Sequence, residues 1–217
     1  MKFSLVVFDW DGTLMDSTYS IVVAIQNACR DLGLPVPSDQ EASWVIGLSL
    51  ADAFKKAVPT IQPHQIDPFI DRYKYHFLTR DPDLRLFPGN KALLDDLKQR
   101  GILMAVATGK SRIGLDRALK NHKLEHYFAA TRTADQTASK PNPLMLQEIM
   151  EELMVSPDEV VMVGDTTHDI FMAQNAGVHS IAVTYGAHSR QELDAARPSF
   201  LVESVDDLRR LLDVYGG

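Results

Sequence analysis

The stretch Lys2 to Leu14, KFSLVVFDWDGTL, constrains the fold more than any other part of the chain. Leu5-Val6-Val7-Phe8 is an unbroken run of aliphatic and aromatic residues, which suits a strand buried on both faces of a parallel sheet. It stops abruptly at Asp9-Trp10-Asp11-Gly12-Thr13. Two carboxylates therefore sit where the strand emerges, and in open α/β sheets that carboxyl edge is where ligands bind. While the backbone stays extended, Asp9 and Asp11 face the same way. Like charges that close repel unless a proton or a cation lies between them. Gly12 lets the backbone turn sharply, and Thr13 adds a hydroxyl.

After Leu14 the pattern turns helical. Ile21, Ala24, Ile25, Ala28 and Leu32 recur on one helical face, with Asp16 or Ser17 as a possible cap and Gly33 as a stop. Ser38 and Glu41 have capping-box spacing and start a second, short helix. Leu50, Ala53, Phe54 and Ala57 make a third helical face after the break at Gly47-Leu48-Ser49. Ile66, Phe69, Ile70, Tyr73 and Phe77 make a fourth. From Phe87-Pro88-Gly89 onward, helices alternate with apolar strands at 102–107, 160–163, 180–183 and 200–202, with a further apolar stretch near Tyr127–Ala130. Such alternation implies βαβ units and a parallel sheet. A crossover needs about a dozen residues, and the first gap is far longer. The expected architecture is an α/β, Rossmann-like core of residues 1–14 and 88–217. Residues 15–87 form an inserted all-helical cap that leaves the sheet beside Asp9 and Asp11.

The composition narrows the function classes. A net charge of −7 argues against a general nucleic-acid or anionic-membrane binder. Cys29 is the only cysteine, so no intramolecular disulfide can form. Its apolar neighbours suit a buried small hydrophobe. No segment approaches the ~20 apolar residues of a membrane helix, and the first apolar run lacks the form of a signal peptide. A cytoplasmic protein is expected, with no membrane partner. Oligomeric state is not legible.

Four strand ends carry polar residues. The first has Asp9 and Asp11. The second has Thr108-Gly109-Lys110, where a hydroxyl and free amides at a helix start can hold a phosphate. Lys140, next to Pro141, follows the third. The fourth has Gly164-Asp165-Thr166-Thr167-His168-Asp169. Several carboxylates, a lysine and a threonine converging on one edge call for a cation, and hard oxygen ligands point to Mg²⁺. His168 is expected to be exposed rather than catalytic. Lys110 and Arg112 either steer anions or are surface charge.

Taken together, the four runs resemble the haloacid dehalogenase superfamily, in particular its phosphatases with a helical cap, and most closely the phosphoglycolate phosphatase-like branch. Asp9-Trp10-Asp11-Gly12-Thr13-Leu14 matches the first motif, Thr108 the second, Lys140-Pro141 the third, and Gly164-Asp165 with Asp169 the fourth. The resemblance implies a Mg²⁺-dependent phosphatase acting on a small phosphorylated metabolite. In it Asp9 is the nucleophile that forms an aspartyl phosphate. Asp11 is the acid and then the base. Thr108 and Lys140 hold the phosphoryl group. The metal set is Asp9, Asp11 through its backbone carbonyl, Asp165, and Asp169 as ligand or supporting residue.

Pyrophosphatase, nucleotidase and sugar-phosphate mutase activities stand as alternatives, although the mutases carry an arginine in the cap loop where this chain has Leu50. The acid at Asp11 argues against a metal-independent dehalogenase. A non-catalytic binding protein on this fold could lose a motif residue freely, yet none is lost here. Trp44, Gly47, Leu48, Lys55, Lys56, Arg72 and Arg80 are the cap residues expected to set specificity.

Overall fold

The computed structural model describes residues 2–216, with Pro82 described by its backbone only. Six strands make one parallel sheet: β1 (Leu5–Phe8), β2 (Leu103–Thr108), β3 (Ala130–Thr133), β4 (Val160–Gly164), β5 (His179–Val183) and β6 (Phe200–Val202), in the order β3-β2-β1-β4-β5-β6. β1 lies in the centre. Its Leu5 pairs with Leu103 and Val160, and its Phe8 with Val106 and Val163. All four β1 residues are buried, which explains the unbroken apolar run. Leu5 and Val7 face a cluster with Met145, Ile149 and Met172, while Val6 and Phe8 face one with Leu93, Leu97 and Leu208. Each such side chain contributes roughly 1.5–3 kcal/mol of burial free energy. The chain therefore has no alternative place for β1 that leaves these groups dry.

Strand order runs one way from β1 through β2 to β3, and the other way from β4 to β6. The crevice at such a reversal is where doubly wound sheets bind ligands. Asp9 and Asp11 follow β1, and Asp165 follows β4, so the acids sit at that crevice.

Helices α1 (Thr18–Asp31), α2 (Asp39–Trp44), α3 (Leu50–Ala57) and α4 (Ile66–Arg80) all lie between β1 and β2 in the chain, outside the sheet core, as a cap would. Phe54, Phe69, Tyr73 and Phe77 interlock through ring contacts at their centre. α2 starts with the expected capping box of Ser38 and Glu41. Ser17 precedes α1 but its hydroxyl does not cap it; it donates to Asp11 Oδ1 at 2.8 Å instead. The chain's exit and return run side by side. Met15 bridges Leu86, the Asp16 N–H donates to the Arg85 carbonyl, and the Phe87 N–H donates to the Leu14 carbonyl.

The remaining helices, α5 (Asn90–Gln99), α6 (Arg112–His122), α7 (Leu144–Leu153), α8 (Thr167–Ala176), α9 (Arg190–Ala195) and α10 (Val205–Tyr215), accompany the strands. α9 was not expected from the sequence. β3 begins only at Ala130 and continues into Thr131-Arg132-Thr133, so its polar half lacks the apolar signature used to find the other strands. Among the described residues no helix is long and apolar enough to cross a membrane.

Candidate active site

Asp9 follows β1 directly and is fully buried. Its Oδ1 accepts from the Trp10 N–H at 2.7 Å and lies 2.9 Å from Lys140 Nζ. Its Oδ2 is buried and has no hydrogen-bond partner. Leaving a buried carboxylate oxygen bare is costly. Lys140, itself fully buried, also reaches Asp169 Oδ1 at 2.7 Å. Asp169 Oδ2 accepts from the Thr166 N–H at 3.1 Å and the Thr166 hydroxyl at 2.6 Å, completing a capping box at the start of α8. That local motif fixes Asp169, which in turn fixes the lysine. Asp165 follows β4. Its Oδ1 accepts from the Thr13 hydroxyl at 2.7 Å and its Oδ2 from the Ala187 N–H at 2.7 Å.

Asp9, Asp165 and Asp169 each offer an oxygen within 4.8 Å of the others'. At an effective dielectric of ~20, two unit charges at that distance repel by about 3 kcal/mol. Three ionised acids and one lysine leave a net charge of −2 in a buried site. Burial, with Asp169 and Asp165 adding to it, raises the Asp9 carboxyl well above the carboxylate range against the pull of Lys140. Burial and Asp169 push Asp165 up to about 7, opposed by the Ala187 N–H and the Thr13 hydroxyl. Burial disfavours the Lys140 ammonium, but Asp169 and Asp9 outweigh it and hold the proton on. Hard oxygens, a deficit of two positive charges and a bare Asp9 Oδ2 fit a divalent cation.

Gly12 is required here on two counts. Its φ is +83°, and a Cβ would fall 2.1 Å from Asp165 Oδ2. Asp11 turns its carboxylate away from the acid cluster. Lys110 Nζ holds both its oxygens, at 3.0 and 2.8 Å, and the Ser17 hydroxyl donates to Oδ1. Its carboxylate is not part of the group formed by Asp9, Asp165 and Asp169. Thr108 is buried at the end of β2, its Oγ1 accepting from the Lys110 N–H at 3.2 Å. Arg112 turns to Thr131 and Asp116.

The cap loop after α2 roofs these groups. A Cβ on Gly47 would lie 3.6 Å from Asp9 Oδ2 and 3.5 Å from Thr166 Oγ1, and one on Gly109 would collide with the Leu48 and Gly47 carbonyls at 2.4 and 2.5 Å. The Ser49 N–H donates to Ser139 Oγ, and Ser43 Oγ to the Ala187 carbonyl.

The expectation that His168 is exposed is wrong. It is buried, because its ring packs edge-on to Trp44 and its Nε2 meets the Trp44 carbonyl at 2.9 Å. His188 Nε2 meets the same carbonyl at 3.0 Å. A carbonyl only accepts, so both imidazoles carry their proton on Nε2. Burial and the neighbouring His188, opposed by the Trp44 carbonyl, lower His168 to about 4. Of the cap residues singled out for specificity, Gly47 and Leu48 face the site cavity. Arg80 stacks on Tyr19, Lys56 on Trp44, and Arg72 lies near Asp31.

Comparisons with known proteins show the family. The family model described as "Haloacid dehalogenase-like hydrolase" matches residues 6–183. The chain is 36% identical over 211 residues to "Probable phosphatase IndB" of Dickeya dadantii, covering 94% of this chain and 91% of that one. It is 32% identical to a phosphoglycolate phosphatase of Vibrio vulnificus, covering 98% and 96%, and 29% identical to pyrophosphatase PpaX of Bacillus mycoides over the full length of both. Among solved structures, one titled a predicted phosphatase from Clostridium acetobutylicum superposes with a TM-score of 0.87 at 28% identity, covering 99% and 100%. With four motifs gathered on one sheet edge, a full-length match to phosphatases and the shared fold, the chain belongs to the haloacid dehalogenase-like hydrolases, as a phosphatase of the phosphoglycolate phosphatase-like branch.

Proposed function

We propose that this chain is a Mg²⁺-dependent phosphatase of small phosphomonoesters that works through an aspartyl phosphate on Asp9. The observation that carries the proposal is the buried group of Asp9, Asp165 and Asp169, two charges short of neutrality, with Asp9 Oδ2 bare at its edge. Asp9, Asp165, Asp169 and the Asp11 backbone carbonyl would hold the cation, which supplies charge neutralisation to the nucleophile and the phosphoryl oxygens.

Asp9 attacks phosphorus, a bond forms from its carboxylate oxygen, and the bond to the leaving alkoxide breaks. Lys140 keeps Asp9 oriented and neutralises phosphoryl charge from the side of Asp169. Thr108 offers its hydroxyl to a phosphoryl oxygen. Asp11 gives its proton to the leaving oxygen and later takes one from the attacking water. For that, Lys110 must loosen from Asp11, so substrate entry and proton donation are coupled through one ion pair.

Residues 15–87 act as a cap that moves against residues 1–14 and 88–217. The paired exit and return at Met15 and Leu86 give a natural hinge, and the Trp44 carbonyl, held by two imidazoles, gives a latch on the core. A cap over a reactive aspartyl phosphate must close to exclude water and open for exchange. The names of the relatives divide between phosphoglycolate phosphatase and pyrophosphatase.

The test is steady-state hydrolysis of p-nitrophenyl phosphate with Mg²⁺, with excess EDTA and with Ca²⁺ alone. Activity confined to the Mg²⁺ arm is expected. Full turnover in EDTA would overturn the proposal.

A further inference from the structure

A cavity of about 370 Å³ opens beside Asp11, between the cap and the start of α6. Given the phosphatase reading, Asp11 protonates the leaving oxygen, so this cavity is where the leaving alcohol lies. Its walls are apolar. Ile21 and Ile25 come from α1, Val45 and Ile46 from the loop after α2, Phe54 from α3 and Phe77 from α4, all belonging to the buried core. Leu78 and Ile113, both exposed, carry the apolar surface to the mouth.

Before substrate enters, two of the three cations on this wall are engaged. Lys110 holds Asp11 and lies 4.8 Å over the Phe77 ring, and Arg117 Nε holds Asp81 at 2.8 Å. Lys74 sits exposed at the mouth, and Asp135 adds a negative charge. A carboxylate or a second phosphate on the leaving group would therefore be desolvated among aliphatic and aromatic side chains, with Lys74 answering it only from the solvated mouth, which is unfavourable. The volume also exceeds what glycolate needs: an apolar cavity of ~150 Å³ accommodates benzene.

We propose that the preferred substrates are phosphomonoesters of an uncharged, largely apolar alcohol of one or two rings' size, selected by the cavity of Ile21, Ile25, Val45, Phe54 and Phe77, rather than phosphoglycolate or pyrophosphate.

The experiment compares kcat/KM for ethyl phosphate, 2-phenylethyl phosphate, 2-(1-naphthyl)ethyl phosphate, phosphoglycolate and pyrophosphate in Mg²⁺. The four esters release primary alkoxides, so differences among them report mainly on the cavity. A single methylene in an apolar pocket is worth ~10–200-fold, so 2-phenylethyl phosphate should exceed both ethyl phosphate and phosphoglycolate by about a hundredfold or more. Leu50→Lys places a charge on the half-buried wall of the cavity, and should lower the ratio of 2-phenylethyl phosphate to phosphoglycolate at least about tenfold. As a measurement free of any variant, 2-phenylethanol should inhibit the wild type at concentrations where glycolate does not. Phosphoglycolate or pyrophosphate turning over as well as the phenyl ester would overturn this inference and leave the phosphatase reading standing. Hydrolysis of none of the esters would overturn both.

Discussion

The sheet edge and the cap cavity are neighbours built on opposite rules. At the edge, charged and polar groups meet in a dry site and are held by short hydrogen bonds from strand ends and helix starts. Asp165 is fixed by Thr13 and Ala187, and Asp169 by Thr166 and Lys140. In the cavity, aliphatic and aromatic walls from four helices and a loop leave room and make few directional bonds. The edge is rigid and charged because phosphoryl transfer needs preorganised electrostatics. On the proposed reading the cavity is largely apolar because it discriminates one alcohol from another. Asp11 and Lys110, joined by an ion pair, belong to both.

The comparison predicts a hierarchy of damage. Asp9→Asn keeps shape but removes the attacking charge, and turnover should fall by roughly a thousandfold or more in steady-state assays. A substantially active variant would break the distinction drawn here, since the edge would then not carry the chemistry. Asp165→Ala should be close to it in effect, and no divalent ion should rescue the rate. With the native site, Ca²⁺ should compete with Mg²⁺ and suppress turnover, because its larger, higher-coordinate shell can take both oxygens of Asp9. Rates measured against Mg²⁺ at several fixed Ca²⁺ levels check this.

Gly109 marks the contact between the two regions. Gly109→Ala drives a methyl into the Gly47 and Leu48 carbonyls, so the cap loop cannot seat. A displacement of ~1 Å near a reacting centre can cost about a hundredfold. We expect a 10- to 100-fold loss of kcat/KM, with Tm lowered by a few degrees because the overpacked contact costs about 1–3 kcal/mol. Equal activity of Gly109→Ala and wild type would show that closure contributes nothing.

The smallest effect concerns metal-free stability. Asp165 sits at about 7 in the folded chain against an ordinary 3.8. Between those values the folded state holds a proton that the unfolded state lacks. That contribution to stability is full below about 4 and is lost as pH rises through about 7. Asp165→Asn removes the penalty of ionising the buried acid. In EDTA it should raise Tm at pH 8 by about 2–6 °C and change it little at pH 5. A variant less stable than wild type at pH 8 would contradict this account of the site's charge.

Much of the edge was legible because its residues are contiguous in sequence and fall at the ends of apolar runs. Asp9, Asp165, Lys140 and Thr108 are where short-range patterns put them. Partner relations were harder to read. The Thr13 bond to Asp165 spans 152 positions and the Lys110 bond to Asp11 spans 99, and neither leaves a local trace. His168 was misjudged because a polar residue at a helix start is usually solvated, whereas here Trp44, from the cap, covers it. The start of α9 is also written locally: Ser189 and Glu192 form the same capping box as Ser38 and Glu41 at α2. The cavity was the least legible, since the specificity residues expected from charge and loop position included only two of its walls. Apolar helix positions look alike whether they face a core or a ligand.

The central claim is that Asp9 carries the phosphoryl group between the two half-reactions. The direct measurement is an acid quench during turnover with a radiolabelled phosphomonoester in Mg²⁺, followed by tryptic digestion. Label should appear on the peptide of residues 3–30 and fragment to Asp9. It should vanish in Asp9→Asn and after a chase with unlabelled substrate. Turnover without any labelled peptide, or label on a residue other than Asp9, would contradict the account.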